Sequence, residues 1–108
     1  MGMRKYEAMF IIRPDLNSEQ FSQVTNRIAE LIKKHEGQLV SSQVWSENRK
    51  LVYPIRSRGA IKQKFDHGTY YLVYFMFSPD KLDALKFDLN LTEEILRWLI
   101  IRRSKEDE

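Results

Sequence analysis

Between Asn48 and Phe65 the chain carries Arg49, Lys50, Arg56, Arg58, Lys62 and Lys64 and no acidic residue at all. Guanidinium and ammonium groups strung along one segment can neutralise phosphates. Contact of that kind needs charge and reach rather than a fixed constellation. The same run also suits a solvated loop, and composition leaves both readings open. Tyr53 lies inside it and adds a flat π-face. A second set of cations lies near the two ends: Arg4 and Lys5, then Arg97, Arg102 and Arg103. If the terminal strands are neighbours, these residues share one sheet edge. There they form either a second electropositive area or the ordinary charge that keeps an edge strand from aggregating.

Residues for catalysis are sparse. His35 falls at a helix end, where the helix dipole favours a cation. His67 neighbours Asp66 in a turn, a pairing that specifies nothing by itself. No carboxylate pair, phosphate-cradling glycine loop or metal-ligand spacing occurs. The absence of cysteine excludes disulfides, thiolate metal sites and cysteine nucleophiles. Trp45 and Trp98 read as packing or interface groups. The expectation is a binding module rather than an enzyme, with no cofactor, metal or small-molecule substrate.

The elements that must position these residues follow from periodicity. Residues 5–12 alternate as a strand, with Tyr6, Ala8, Phe10 and Ile12 on one face and Met9 and Ile11 on the other. Asn17 with Gln20 reads as a capping box. Phe21, Val24, Ile28, Leu31 and Ile32 follow at helical spacing, and Gly37 is placed to end the helix. Residues 38–55 are extended but too long for one flat strand, which predicts a bend or bulge near residues 46–48. Pro54 suits an edge strand. Residues 56–66 read as a polar, basic loop, and residues 69–77 as the strongest strand. Ser78 and Pro79 open a second helix with Leu82, Leu85 and Leu89 on one face. After a turn at residues 90–94, residues 96–102 form the last strand.

The order β-α-β-β-α-β is an α+β pattern. Right-handed crossovers put both helices on one face of a four-stranded antiparallel sheet, with the first and third strands central. The third strand is apolar on both faces. Tyr70, Leu72, Tyr74 and Met76 are assigned to the helices. Tyr71, Val73, Phe75 and Phe77 then join Met9 and Ile11 on an open outer face, which predicts a binding patch. An aliphatic patch of this kind favours a protein partner over a base-stacking platform. The segment around Gly68 also matches poorly the basic-Gly-aromatic pattern of RNA-recognition strands.

Length and composition describe one globular domain. The chain has 108 residues, 43% hydrophobic and 31% charged, with net charge +3. The domain is placed at residues 3–103, followed by a short acidic tail at 104–108. No apolar run is long enough to span a membrane. The start of the chain lacks a signal-peptide pattern, and Tyr6 stands where myristoylation wants Ser or Thr. The expected compartment is the cytoplasm.

Several stretches together resemble a known family. They are Arg4-Lys5-Tyr6-Glu7, Arg49-Lys50-Leu51-Val52-Tyr53-Pro54-Ile55, the Gly-aromatic third strand ending in Ser78-Pro79, and Ile95-Leu96-Arg97-Trp98-Leu99-Ile100-Ile101-Arg102. In order and spacing they are similar to the small-subunit ribosomal protein six (S-six) family of bacterial type, across residues 3–103. The resemblance implies a ferredoxin-like fold, a place in the small-subunit platform and no catalysis. It also implies binding to 16S-type ribosomal RNA jointly with small-subunit ribosomal protein eighteen. It carries Arg4, Lys5, Arg49, Lys50, Tyr53 and Arg97 to the RNA or partner surface. Arg56, Arg58, Lys62, Lys64, Arg102 and Arg103 join them as expected phosphate contacts. Met9, Ile11, Tyr71, Val73 and Phe75 are the expected partner face. The ribosome implied is bacterial or organelle-encoded. The segment between Arg56 and Gly68 is longer and more basic than the family's pattern, and the tail is shorter, which puts tail-mediated partner binding in question. Two rival readings stand beside this one: a stand-alone single-stranded RNA binder stacking bases on Tyr71 and Phe75, and a homodimeric regulatory domain joined through its sheet.

Overall fold

The computed structural model describes residues 2–57, 59 and 61–103. Strand β1 is Arg4–Ile12, helix α1 Ser18–Lys34, β2 Gln38–Arg56 and β3 Lys64–Phe77. A 3-10 turn, Pro79–Lys81, leads into α2, Leu82–Asn90, and β4, Ile95–Arg102, ends the fold. The sheet is antiparallel in the order β2-β3-β1-β4, so β1 and β3 are the central pair. This is the expected ferredoxin-like α+β arrangement.

Helix α1 starts at the expected capping box. The Asn17 side chain accepts from the Gln20 N–H at 2.8 Å, and the Gln20 side chain accepts from the Asn17 N–H at 3.0 Å. Its end differs from expectation. Glu36, not Gly37, takes the left-handed conformation, at φ 66°. The Glu36 N–H donates to the Lys33 carbonyl at 2.9 Å and the Gly37 N–H to the Ile32 carbonyl at 2.8 Å, the two bonds of a Schellman motif. Gly37 is required for another reason: a Cβ there would collide with the Phe77 ring and lie 2.9 Å from the Ile32 methyl.

The core between sheet and helices combines Tyr6, Phe10 and Ile12 of β1 with Val24, Ile28, Leu31 and Ile32 of α1 and Leu85 and Leu89 of α2. His35 links the two helices rather than merely capping one. Its Nε2 lies 2.8 Å from the Asp88 carboxylate, which also receives Lys34 at 3.2 Å. Trp98 ties β4 to α2, its indole N–H donating to Asn90 Oδ1 at 3.1 Å.

One expectation is overturned here. Tyr71, Val73, Phe75 and Phe77 face the helices, and Phe75 is only 1% exposed. Tyr70, Leu72, Tyr74 and Met76 face outward. The register decides it: Tyr6, Ala8 and Phe10 sit opposite Phe75, Val73 and Tyr71, and directly paired residues share a face. β3 is apolar in both rows, so alternation within it cannot fix the side, and a one-residue slip reverses every assignment. Phe75 and Phe77, lacking polar atoms, occupy the dry side, while Tyr70 and Tyr74 keep their hydroxyls on the wetter one.

The basic loop is also shorter than expected. β2 runs to Arg56 and β3 begins at Lys64, with Arg56 opposite Lys64. Ser57 closes the hairpin. Its N–H donates to the Gln63 carbonyl at 2.7 Å, and its hydroxyl accepts from the Gln63 N–H at 2.9 Å. Arg13 fastens this hairpin to the end of the sheet. It donates to Gln63 Oε1 at 2.9 Å and to Asp15 at 2.8 Å, and it lies 5.0 Å from the Phe65 ring centre.

Candidate RNA and partner surface

The bend expected in β2 is present and has two parts. Asn48 adopts φ 46°, with its N–H donating to the Thr69 hydroxyl at 3.2 Å, and the pairing register shifts on either side of Ser46. Farther on, Lys50 lies opposite His67 and Ile55 opposite Phe65. Residues 51–54 therefore oppose Asp66 alone, a large irregular bulge. Pro54 has no N–H to offer a ladder and costs little there. Leu51 and Ile55 turn inward onto Leu96, with Ile11, Phe65 and Tyr70 packed against them, and make a second small core on the outer side of the sheet. Gly68 lets this happen, since a Cβ on it would stand 2.5 Å from the Ile11 methyl.

The bulge pushes the other residues out. Val52 is 88% exposed and Tyr53 76%. Covering a side chain of that size is worth about 1.5–3 kcal/mol, and the chain itself leaves this unused. Lys50, Arg56, Lys62 and Lys64 are exposed around the same hairpin. Lys50 acts on Asp66, whose carboxyl is held below its ordinary range first by the hydrogen bond from His67. Arg58 and the acidic tail lie outside the described residues.

Arg49 occupies a different setting from Lys50. Its guanidinium lies 4.9 Å from the Trp45 ring centre and 5.9 Å from that of Tyr70, and the two rings meet edge to face at 5.7 Å. An arginine held against exposed Trp45 and half-buried Tyr70 is preorganised to meet a partner. Trp45 was expected as packing or interface, and its place on the outer side fits the second.

The outer face proper carries Met9 and Ile11, as expected, but beside Tyr70, Leu72 and Tyr74 rather than Tyr71, Val73 and Phe75, which lie in the core. β4 adds Leu99, 61% exposed, and Ile101, 48% exposed, opposite Met9 and Glu7. These were missed in the sequence. The signal was available, because β4 pairs with β1 and residues opposite Met9 must share its side.

The terminal cations separate into two groups. Arg4, Lys5, Arg102 and Arg103 gather at one end of the sheet, with the Arg103 N–H donating to the Lys5 carbonyl at 2.9 Å. Lys5 lies 6.0 Å from the Tyr74 ring centre, and the Arg103 guanidinium bonds Glu7 at 2.6 Å. Arg97 does not join them. It sits opposite Ile11, whereas Arg102 sits opposite Tyr6. At about 3.3 Å per residue, that places the two roughly 17 Å apart along the strand. Arg97 instead lines a groove with Arg56, beside the hairpin residues packed on β4.

Comparison with known proteins bears on the fold and the family. The small ribosomal subunit protein bS6 of Caldanaerobacter subterraneus subsp. tengcongensis is 38% identical over 100 residues, covering 93% of this chain and 97% of that protein. The bS6 protein of Dictyoglomus turgidum is 33% identical, with coverages of 97% and 100%. Among solved structures, 30S ribosomal protein S6 from Thermotoga maritima superposes with a TM-score of 0.79 at 30% identity, over 94% of this chain and 88% of that one. The C-terminal domain of the MgtC protein from Mycobacterium tuberculosis, at 15% identity and a TM-score of 0.57, over 96% of this chain and 92% of that one, shares the fold alone. The family model for Ribosomal protein S6 matches residues 5–102, and the chain belongs to that family in its bacterial form.

Proposed function

We propose that this protein is a structural, non-catalytic component of the small ribosomal subunit. It binds small-subunit ribosomal RNA jointly with small-subunit ribosomal protein eighteen. The observation that carries the reading is an open apolar stripe, Met9, Leu99 and Ile101, flanked at both ends of the sheet by cations. An apolar patch between basic rims suits a partner that covers the first and extends the second. The names of the relatives support the ribosomal setting. No helix among the described residues is long and apolar enough to cross a membrane.

In this reading Met9, Tyr74, Leu99 and Ile101 meet the protein partner, with Ile11 under the hairpin and Arg49 in its aromatic clamp at the border. Lys50, Tyr53, Arg56, Lys62, Lys64 and Arg97 face the RNA at the hairpin end. Arg4, Lys5, Arg102 and Arg103 face it at the other. Each protein alone binds the RNA poorly, because neither presents the whole basic surface.

A gel-shift titration with central-domain ribosomal RNA at two salt concentrations tests this. Tight, salt-sensitive binding that requires protein eighteen supports the joint reading. Equal binding by this protein alone contradicts it. A stable homodimer through the sheet face, with no RNA binding in either case, replaces it.

A further inference from the structure

The hairpin that folds over the end of the sheet creates a groove of about 390 Å³, walled by Ile55 and Arg56 on one side and by Asn90, Leu96, Arg97 and Trp98 on the other. Its two arginines come from positions 41 residues apart and line it together because the bulged β2 packs Ile55 onto Leu96 of β4. Its lining is held in place at two points. Ile55 and Leu96 are buried in the second core, and the Trp98 indole is anchored by its bond to Asn90.

The rim of this groove brings two arginines together. Arg13 and Arg103 are each neutralised by a carboxylate, Asp15 and Glu7. Arg56 and Arg97 are both exposed, and neither makes an ion pair among the described residues. Two like charges held at the rim of a common groove favour an anion between them. The groove is about the size of a small-ligand pocket, at the lower end of the range of roughly 300–1,000 Å³. A duplex offers such a groove only its backbone, whereas an unpaired nucleotide offers a phosphate and a flat base together.

We infer that this groove seats a single unpaired nucleotide of the RNA. The phosphate lies between Arg56 and Arg97 on the outer side, and the base reaches over the edge of β4 to Trp98, whose ring lies on the helix side of that strand. The inference rests on the RNA-binding reading and narrows it: one position on the RNA is held by base contact as well as by charge. Stacking on aromatic or guanidinium planes tolerates any base, so the seat selects for lack of pairing rather than for sequence.

Trp98 reports occupancy. In a Trp45→Phe protein it is the sole tryptophan. Its emission is followed during titration with an unstructured single-stranded hexaribonucleotide, a blunt RNA duplex and inorganic phosphate. The expected result is a saturable change with the single strand, at least roughly tenfold tighter than with duplex or phosphate. Arg56→Ala and Arg97→Ala each weaken it by roughly tenfold, with melting temperature unchanged. A silent Trp98, or a response indifferent to both substitutions, overturns the seat. So does an Arg97→Ala protein that loses association with protein eighteen but keeps the hexanucleotide response. The gel shift of wild-type protein keeps the two readings apart. A ribosomal RNA shift with a silent Trp98 sinks only the seat. A hexanucleotide response without any joint shift sinks only the joint reading.

Discussion

The two faces of the central sheet are built from nearly the same residue types and end in opposite situations. On the helix side, Phe10, Val73, Phe75 and Phe77 are sealed by α1 and α2. On the other side, Leu99 and Ile101 stand largely uncovered by their own chain and Tyr74 is half-covered, except at the hairpin end, where Leu51, Ile55 and Leu96 close a second small core. Hydrophobicity alone therefore does not say which residues stabilise the fold. Coverage does, and only two helices are available to supply it. The uncovered part is the part available for assembly.

Truncation breaks the comparison most sharply. Phe75→Ala leaves a cavity in the sealed face and is expected to cost about 3–5 kcal/mol in urea denaturation. That is a large share of a small domain's stability. Leu99→Ala on the open face is expected to change stability by no more than about 0.5 kcal/mol. Equal costs would mean that both faces are sealed.

Gly37→Ala probes the rim of the sealed side. The added methyl meets Phe77 and Ile32, and the expected loss is about 1–3 kcal/mol by thermal denaturation. An unchanged melting temperature would show that this corner is loosely packed.

A smaller effect concerns the latch between the helices that cover the sealed side. The hydrogen bond from His35, and then that from Lys34, holds the Asp88 carboxyl below its ordinary range. A carboxyl with a lowered folded value contributes stability above its unfolded pKa and loses it as pH falls through the folded one. Asp88→Asn is thus expected to reduce stability at neutral pH and to flatten the acid limb of the stability curve. A parallel downward shift at every pH would assign Asp88 a role independent of its charge. Smallest of all, Glu36→Gly relieves a left-handed residue and is expected to raise the melting temperature slightly, against loss of the exposed contact with Lys81.

Much of this was readable from residues. The Asn17–Gln20 cap, the helical spacing of Val24, Ile28 and Leu31, and the proline-bearing edge strand each have a local physical cause, and each stands where that cause puts it. The side taken by β3 has no local cause, because both of its rows are apolar and only pairing with β1 chooses between them. The hairpin was read as a loop because Lys64, Asp66 and His67 are polar. A strand beyond the body of the sheet has no need of apolar residues on both faces. That Arg56 and Arg97 line one groove depends on a bulge that re-aims a whole hairpin, a three-dimensional event with no linear signature.

The central claim is that the uncovered sheet face receives the partner on which RNA binding depends. Leu99→Asp tests it most directly, measured as association with small-subunit protein eighteen by calorimetry alongside the melting temperature. The account predicts an unchanged melting temperature, association weakened by at least roughly tenfold as a charge is buried without a partner, and a matching loss of the joint RNA shift. Wild-type association by a folded Leu99→Asp protein would contradict it.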